Sequence, residues 1–184
     1  AHALHTCHAQ GLVHRDLKPA NVLVEEETDR PVLVDFGMVK RDPERMRLSS
    51  LESSPLSRTG ELKGTPKYMA PEQASGRIDD IDERTDVYGL GAVLYAILTG
   101  CAPHEKSQES MTASSQVSEL LRKIVSEPTV RARSLNTNVP RELEAIAAKA
   151  LSLKPYARYQ TALQLAGDVQ SWLANEPVKA YKEP

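Results

Sequence analysis

Apolar positions are unevenly spaced along this chain, and their spacing predicts short strands early and helices later. Ala1 to about Gln10 has helix-forming composition, with Gly11 as its stop. Val22-Leu23-Val24 and Val32-Leu33-Val34 are β-branched runs separated by the charged, turn-like segment from Glu25 to Pro31, the pattern of a hairpin. Residues 38–67 carry Ser, Arg and Pro with few large apolar side chains, and predict a long loop. After Pro71 the chain turns helical. Thr85-Asp86 is the start signal for an apolar helix over 87–98, and Gly100 ends it. Residues 102–115 predict a polar connection, and a helix follows at about 115–126. Pro140 opens a further helix to about Leu151. The last helix runs from about Thr161 to Ala174, with Leu163, Leu165, Val169, Trp172 and Leu173 as its apolar positions. The segment after Asn175 reads as a tail or linker, and no internal repeat is present. The expected class is mainly α with a small β-hairpin.

Composition narrows the picture. The chain has 184 residues, enough for one domain with a real core. With 23 basic and 25 acidic residues the net charge is −2, which gives no reason to expect nucleic-acid or membrane-surface binding. Cys7 and Cys101 lie in no metal-type spacing and read as reduced thiols of a cytoplasmic protein. The first residues lack a basic region followed by an apolar run, so no secretory signal is expected. The uncharged stretch from Val87 to Leu98 falls short of the ~20 residues of a membrane helix. A membrane anchor, if the parent chain has one, is expected beyond this segment. The chain opens without Met on residues that are already helical, as a fragment would.

Two segments carry the chemistry. Residues 14–21 read His14-Arg15-Asp16-Leu17-Lys18-Pro19-Ala20-Asn21, and residues 35–37 read Asp35-Phe36-Gly37. Phosphoryl transfer is mostly positioning and charge neutralisation, and this set suits it. Asp16 can orient an attacking hydroxyl and accept its proton. Lys18 can place a cation beside the transferring phosphate. Asn21 and Asp35 offer the hard oxygen ligands that Mg²⁺ takes. A lone Asp in a loop would be an ordinary turn residue, but here six positions at two loci fit one chemistry.

Together these segments resemble the H-R-D-L-x-x-x-N and D-F-G signature of the protein kinases. The resemblance extends to Gly64-Thr65-Pro66-Lys67-Tyr68-Met69-Ala70-Pro71-Glu72, which looks like the end of an activation segment. It implies that Thr65 bonds to Asp16 and Lys18 and shapes the peptide-binding surface. It also implies an ion pair between Glu72 and Arg158, a brace of the catalytic-loop backbone by Asp86, and structural roles for His14 and Phe36. A plain helix N-cap is the alternative reading of Asp86. Leu23 matches the floor of the adenine site. Arg15 would receive an anion from the activation segment, supplied by phosphorylated Thr59 or in part by Glu61. Ser49, Ser50, Ser53, Ser54 and Ser57 are weaker candidates for such a phosphorylation, with a solvated loop as their favoured reading.

Lys18-Pro19 and Thr65 resemble Ser/Thr rather than Tyr kinases. Pro71-Glu72-Gln73 and the segment from Trp172 to Val178 look most like bacterial receptor-type or multidomain members. The implied architecture is a C-terminal kinase lobe over 1–174, with activation segment 35–72 and a linker or tail over 175–184. The N-terminal lobe is expected to be absent. Gly89-Leu90-Gly91 and the run from Ala145 to Lys149 imitate a phosphate loop and a strand lysine only weakly, and both have helical surroundings.

The implied activity is transfer of the ATP γ-phosphate to Ser/Thr hydroxyls of proteins, with ATP and Mg²⁺ (or Mn²⁺) as cofactors. The parent chain is expected to be active and this segment alone nearly inactive. Partners would be protein substrates and a second copy for trans-autophosphorylation. The rival from another class is a kinase-like scaffold without catalysis. A small-molecule phosphotransferase would lack the segment from Thr65 to Glu72. His2, His5 and His8 beside Cys7 read as ordinary helix positions rather than metal ligands, and the acidic run from Asp79 to Glu83 as a solvated face.

Overall fold

The computed structural model describes residues 1–35, 66–105 and 113–181, with only the backbone of 113–115. Phe36, Gly37, Thr59, Glu61 and Thr65, with the serines of 49–57, lie outside the described residues.

Helix α1 spans His2–His8 and buries Leu4. Gly11 then takes a left-handed φ of 71° that reverses the chain. A single 3₁₀ turn, Pro19–Asn21, leads into the hairpin: β1 (Val22–Val24) pairs antiparallel with β2 (Pro31–Leu33). The second strand thus sits one residue earlier than the β-branched run predicts, because Val34 turns its peptide towards the loop before the hairpin.

Beyond the 3₁₀ turn Pro66–Tyr68 come α2 (Pro71–Ala74), α3 (Glu83–Thr99), α4 (Ala113–Ser126), α5 (Ala132–Leu135), α6 (Arg141–Ala150) and α7 (Ala162–Leu173). The ends of α6 and α7 fall within a residue or so of those expected from Pro140 and Thr161. Thr161 caps α7 by accepting the Gln164 N–H. The short α5 carries too few residues to show a period, and the sequence gives no warning of it.

Helix α3 is the centre of the molecule and packs against α5, α6 and α7. It is apolar nearly all round, as a surrounded helix must be. Val87, Tyr88, Ala92 and Tyr95 are buried on its different faces, and of its large apolar residues only Ile97 stands well out. Its start differs from expectation: Asp82 is the N-cap, accepting the Arg84 N–H, and α3 begins at Glu83. Asp86 is therefore not a cap but lies inside the first turns with its side chain free for another task. Gly100 ends α3 at φ 76°, as expected.

Close packing explains the glycines of α3. A Cβ on Gly89 would lie 2.6 Å from Leu17 Cβ, and one on Gly91 would lie 2.6 Å from Ala150 Cβ. Leu17, Leu4 and Ala162 form a small cluster with Leu33 and Leu90, which joins the loop after α1 to α3 and α7. Leu173, expected on the apolar face of α7, is exposed. Asp168 is buried there instead, where Tyr159 Oη donates to it at 2.7 Å and the amides of Lys179 and Ala180 donate to it at 3.3 and 3.0 Å. The segment following Asn175 is docked through these bonds and through buried Val178.

Candidate active site

Asp86 organises the site. It is 1% exposed. Its Oδ2 accepts the His14 N–H and its Oδ1 the Arg15 N–H, both at 2.8 Å. The His8 ring meets the same Oδ2 through Nε2 at 2.7 Å. Arg15 is thereby held at φ 69°, a left-handed conformation for a non-glycine residue. Such a conformation costs roughly 1–3 kcal/mol, and hydrogen bonds to a charged group contribute about 1.5–3 kcal/mol each. The carboxylate therefore suffices to hold the backbone there. Gln73 adds the opposite grip: its Nε2 donates to Arg15 O at 2.7 Å, while its Oε1 accepts the Ala70 N–H at 3.0 Å. Neither His8 nor Gln73 was anticipated. A Gln two residues after Pro71, at the third position of a helix, was the one available signal for Gln73.

His14 is fully buried and joins the two motifs. Its Nδ1 accepts the Asp16 N–H at 3.3 Å and its Nε2 lies 3.2 Å from Val34 O, which assigns the proton to Nε2. The Val34 N–H donates to Asn21 O at 3.0 Å. Both peptide groups of Val34 are thus fixed by the loop, and Asp35 follows at φ 61°. This is how residues far apart in sequence come to one place.

Within the loop, Asp16 Oδ2 lies 2.7 Å from Lys18 Nζ and 3.1 Å from Asn21 Nδ2. Asn21 Nδ2 also donates to the Asp16 backbone O at 2.7 Å. With its nitrogen so committed, the Asn21 amide has its oxygen left for another partner. That oxygen and the Asp35 carboxylate are hard donors of the kind Mg²⁺ takes. No group of three or more His, Cys, Asp or Glu suited to a metal occurs among the described residues. A cation here would need phosphate and water oxygens to complete its shell, the usual situation for Mg²⁺. His2, His5 and Cys7 form no such cluster with His8.

Arg15 Nε is buried without a hydrogen-bond partner among the described residues. Burial pulls its guanidinium down from the usual arginine range, with the charge of Asp86 opposing. Leu23, on β1, is 55% exposed, so the hairpin presents an open apolar face.

The expected pair between Glu72 and Arg158 is present, with both side chains 0% exposed. Arg158 Nη1 and Nη2 donate to Oε1 and Oε2 at 2.8 Å each. Its remaining donors reach the carbonyls of Ser152, Arg84 and Leu153. Thr85 Oγ1 also donates to Glu72 at 2.8 Å. Burial alone would raise the Glu72 carboxyl, but the hydrogen bonds and charge of Arg158 outweigh it and hold the group below its ordinary range. The pair fixes α2 to the segment before α7, Thr85 and the Arg84 carbonyl tie both to α3, and Gln73 is thereby held against Arg15.

The chain matches the protein kinase domain family over residues 1–169. It is 36% identical over 170 residues to a probable serine/threonine-protein kinase of Clostridium perfringens, covering 92% of this chain and 22% of that protein. It is 34% identical over 180 residues to the serine/threonine-protein kinase PknB of Mycobacterium tuberculosis, covering 98% of this chain and 26% of that one. A probable serine/threonine-protein kinase of Corynebacterium efficiens is 33% identical over 184 residues, with 98% and 25% covered. The chain spans about a quarter of the length of these curated relatives.

Proposed function

The chain belongs to the protein kinase family, and from that premise we propose that it is the C-terminal-lobe part of a kinase acting on Ser and Thr hydroxyls of proteins. The observation that carries this reading is the Asp16 carboxylate, held with Lys18 Nζ at 2.7 Å and Asn21 Nδ2 at 3.1 Å.

In the reaction, Asp16 orients the substrate hydroxyl and takes its proton as the oxygen bonds to the γ-phosphorus. Lys18 leaves Asp16 for the phosphate oxygens and offsets their charge. The bond from phosphorus to the bridging oxygen breaks, and ADP leaves. Asn21 and Asp35 would hold Mg²⁺, which would neutralise phosphate charge. Leu23 would meet the adenine. The family implies ATP and a divalent metal.

Residues 1–174 would form this lobe with activation segment 35–72, and 175–184 its tail. Arg15, whose buried Nε has no hydrogen-bond partner among the described residues, suits an anion from Thr59 after phosphorylation, or from Glu61. Thr65 would contact Asp16 and Lys18. A second copy would serve as substrate in trans.

The test is transfer from γ-labelled ATP to a generic Ser/Thr protein by the full-length kinase carrying Asp16→Asn. Loss of about a hundredfold or more in rate is expected. An unchanged rate would remove Asp16 from this role. Equal transfer to small alcohols or aminoglycosides would overturn the protein-substrate reading.

A further inference from the structure

We propose that the cavity between α6 and the segment from Arg131 to Arg133 is a docking site for a phosphorylated peptide segment. The cavity has a volume of about 570 Å³ and is lined by Arg131, Arg133, Arg141, Glu144, Ala148 and Tyr181 among others. That is within the usual range of roughly 300–1,000 Å³ for a ligand site. It shares no lining residue with the Asp16 site and stands independently of that site's assignment.

Charge identifies the occupant. Arg77, Arg84 and Arg122 each pair with a carboxylate. Arg131, Arg133 and Arg141 make no ion pair among the described residues, yet they meet at one cavity. Glu144 makes no ion pair with them among the described residues; its Oε1 accepts the Arg133 backbone N–H at 2.8 Å, and its charge offsets one of the three. Among the described lining residues, three guanidinium groups and one carboxylate leave a local charge of about +2, the complement of the roughly −1.5 to −2 of a phosphomonoester at neutral pH. Guanidinium forks match phosphate oxygens in geometry as well as in charge.

The remaining lining favours a peptide over a free ion. Ala145, Ala148 and the Tyr181 ring give the cavity an apolar side, suited to the residues flanking a phosphate. Tyr181 is brought there by the docked tail, whose amides are held by Asp168. Arg133 Nη1 donates to Val139 O, which fixes its guanidinium, whereas Arg131 and Arg141 are exposed and can turn to a ligand.

The experiment is a titration of the full-length kinase with a short capped peptide carrying one phosphothreonine between leucine and alanine residues, read by calorimetry. The same peptide without phosphate and inorganic phosphate are run in parallel. Binding of the phosphopeptide alone is expected, weakening about tenfold for each of Arg131→Ala and Arg141→Ala. Basal transfer activity and circular dichroism should be unchanged in both variants. No binding by the wild type, equal affinity for the unphosphorylated peptide, or full affinity in the double variant would overturn the proposal. Inorganic phosphate competing as well as the peptide would make it a free-anion site and overturn the peptide assignment.

Discussion

His8 Nε2 and the His14 N–H converge on one oxygen, Asp86 Oδ2, at 2.7 and 2.8 Å. The ring that ends α1 is thus bonded to the carboxylate that shapes the loop before Asp16. Replacing His8 with Ala leaves a buried carboxylate oxygen short of a partner, at a cost of about 1–3 kcal/mol. Chemical denaturation of His8→Ala should show this loss. An unchanged midpoint and slope would mean that the ring adds nothing to the hold on Asp86.

Asp86→Ala removes the acceptor for two backbone amides and for His8 together. We expect a loss of about 3–5 kcal/mol, the range for stripping a buried charged partner, and a full-length kinase without measurable transfer even where it remains folded. Wild-type activity in a folded Asp86→Ala protein would show that the left-handed backbone at Arg15 needs no brace.

Arg158→Met strands the Glu72 carboxylate in a site that is 0% exposed, and should cost about 3–5 kcal/mol. The pair also predicts a pH dependence. The folded Glu72 carboxyl lies below its ordinary value of 4.5, so the unfolded chain binds its proton first as pH falls. The stabilisation is present above the unfolded value and disappears as pH drops through the folded one. Denaturation midpoints followed below pH 5 should fall more steeply for the wild type than for Glu72→Gln. Parallel curves would contradict this.

Gly89→Ala places a methyl 2.6 Å from Leu17 Cβ, and one of the two backbones must move. A loss of about 1–3 kcal/mol is expected from such overpacking. Because Leu17 follows Asp16, the full-length kinase should also lose rate in excess of any unfolding. Thermal melts paired with initial rates separate the two effects.

The site and the fold were legible to different depths. Helix ends marked by Pro140, Thr161 and Gly100 fall close to their predicted places, because each of these residues acts locally on the backbone. The motif residues Asp16, Asn21 and Asp35 were legible as a chemical set, and the pairing of Glu72 with Arg158 through family likeness. What stayed hidden depends on contacts between distant segments. Asp82 took the cap that Thr85-Asp86 suggested, since Asp86 was needed by His14 and Arg15. Nothing in the spacing of His2, His5 and His8 singles out the one ring that reaches Asp86. Asp168 on an apolar stripe reads as a misfit until the amides of Lys179 and Ala180 are seen to occupy it.

The grip of Asp168 on those two amides has a mechanical consequence. Tension applied to the chain beyond Tyr181 meets this carboxylate and the Tyr159 hydroxyl first. It then passes along α7 to Ala162, which packs with Leu17 beneath the loop that carries Asp16. A load from a tethered neighbour would therefore meet the hydrogen bonds of Asp168 before it reached the loop that carries Asp16.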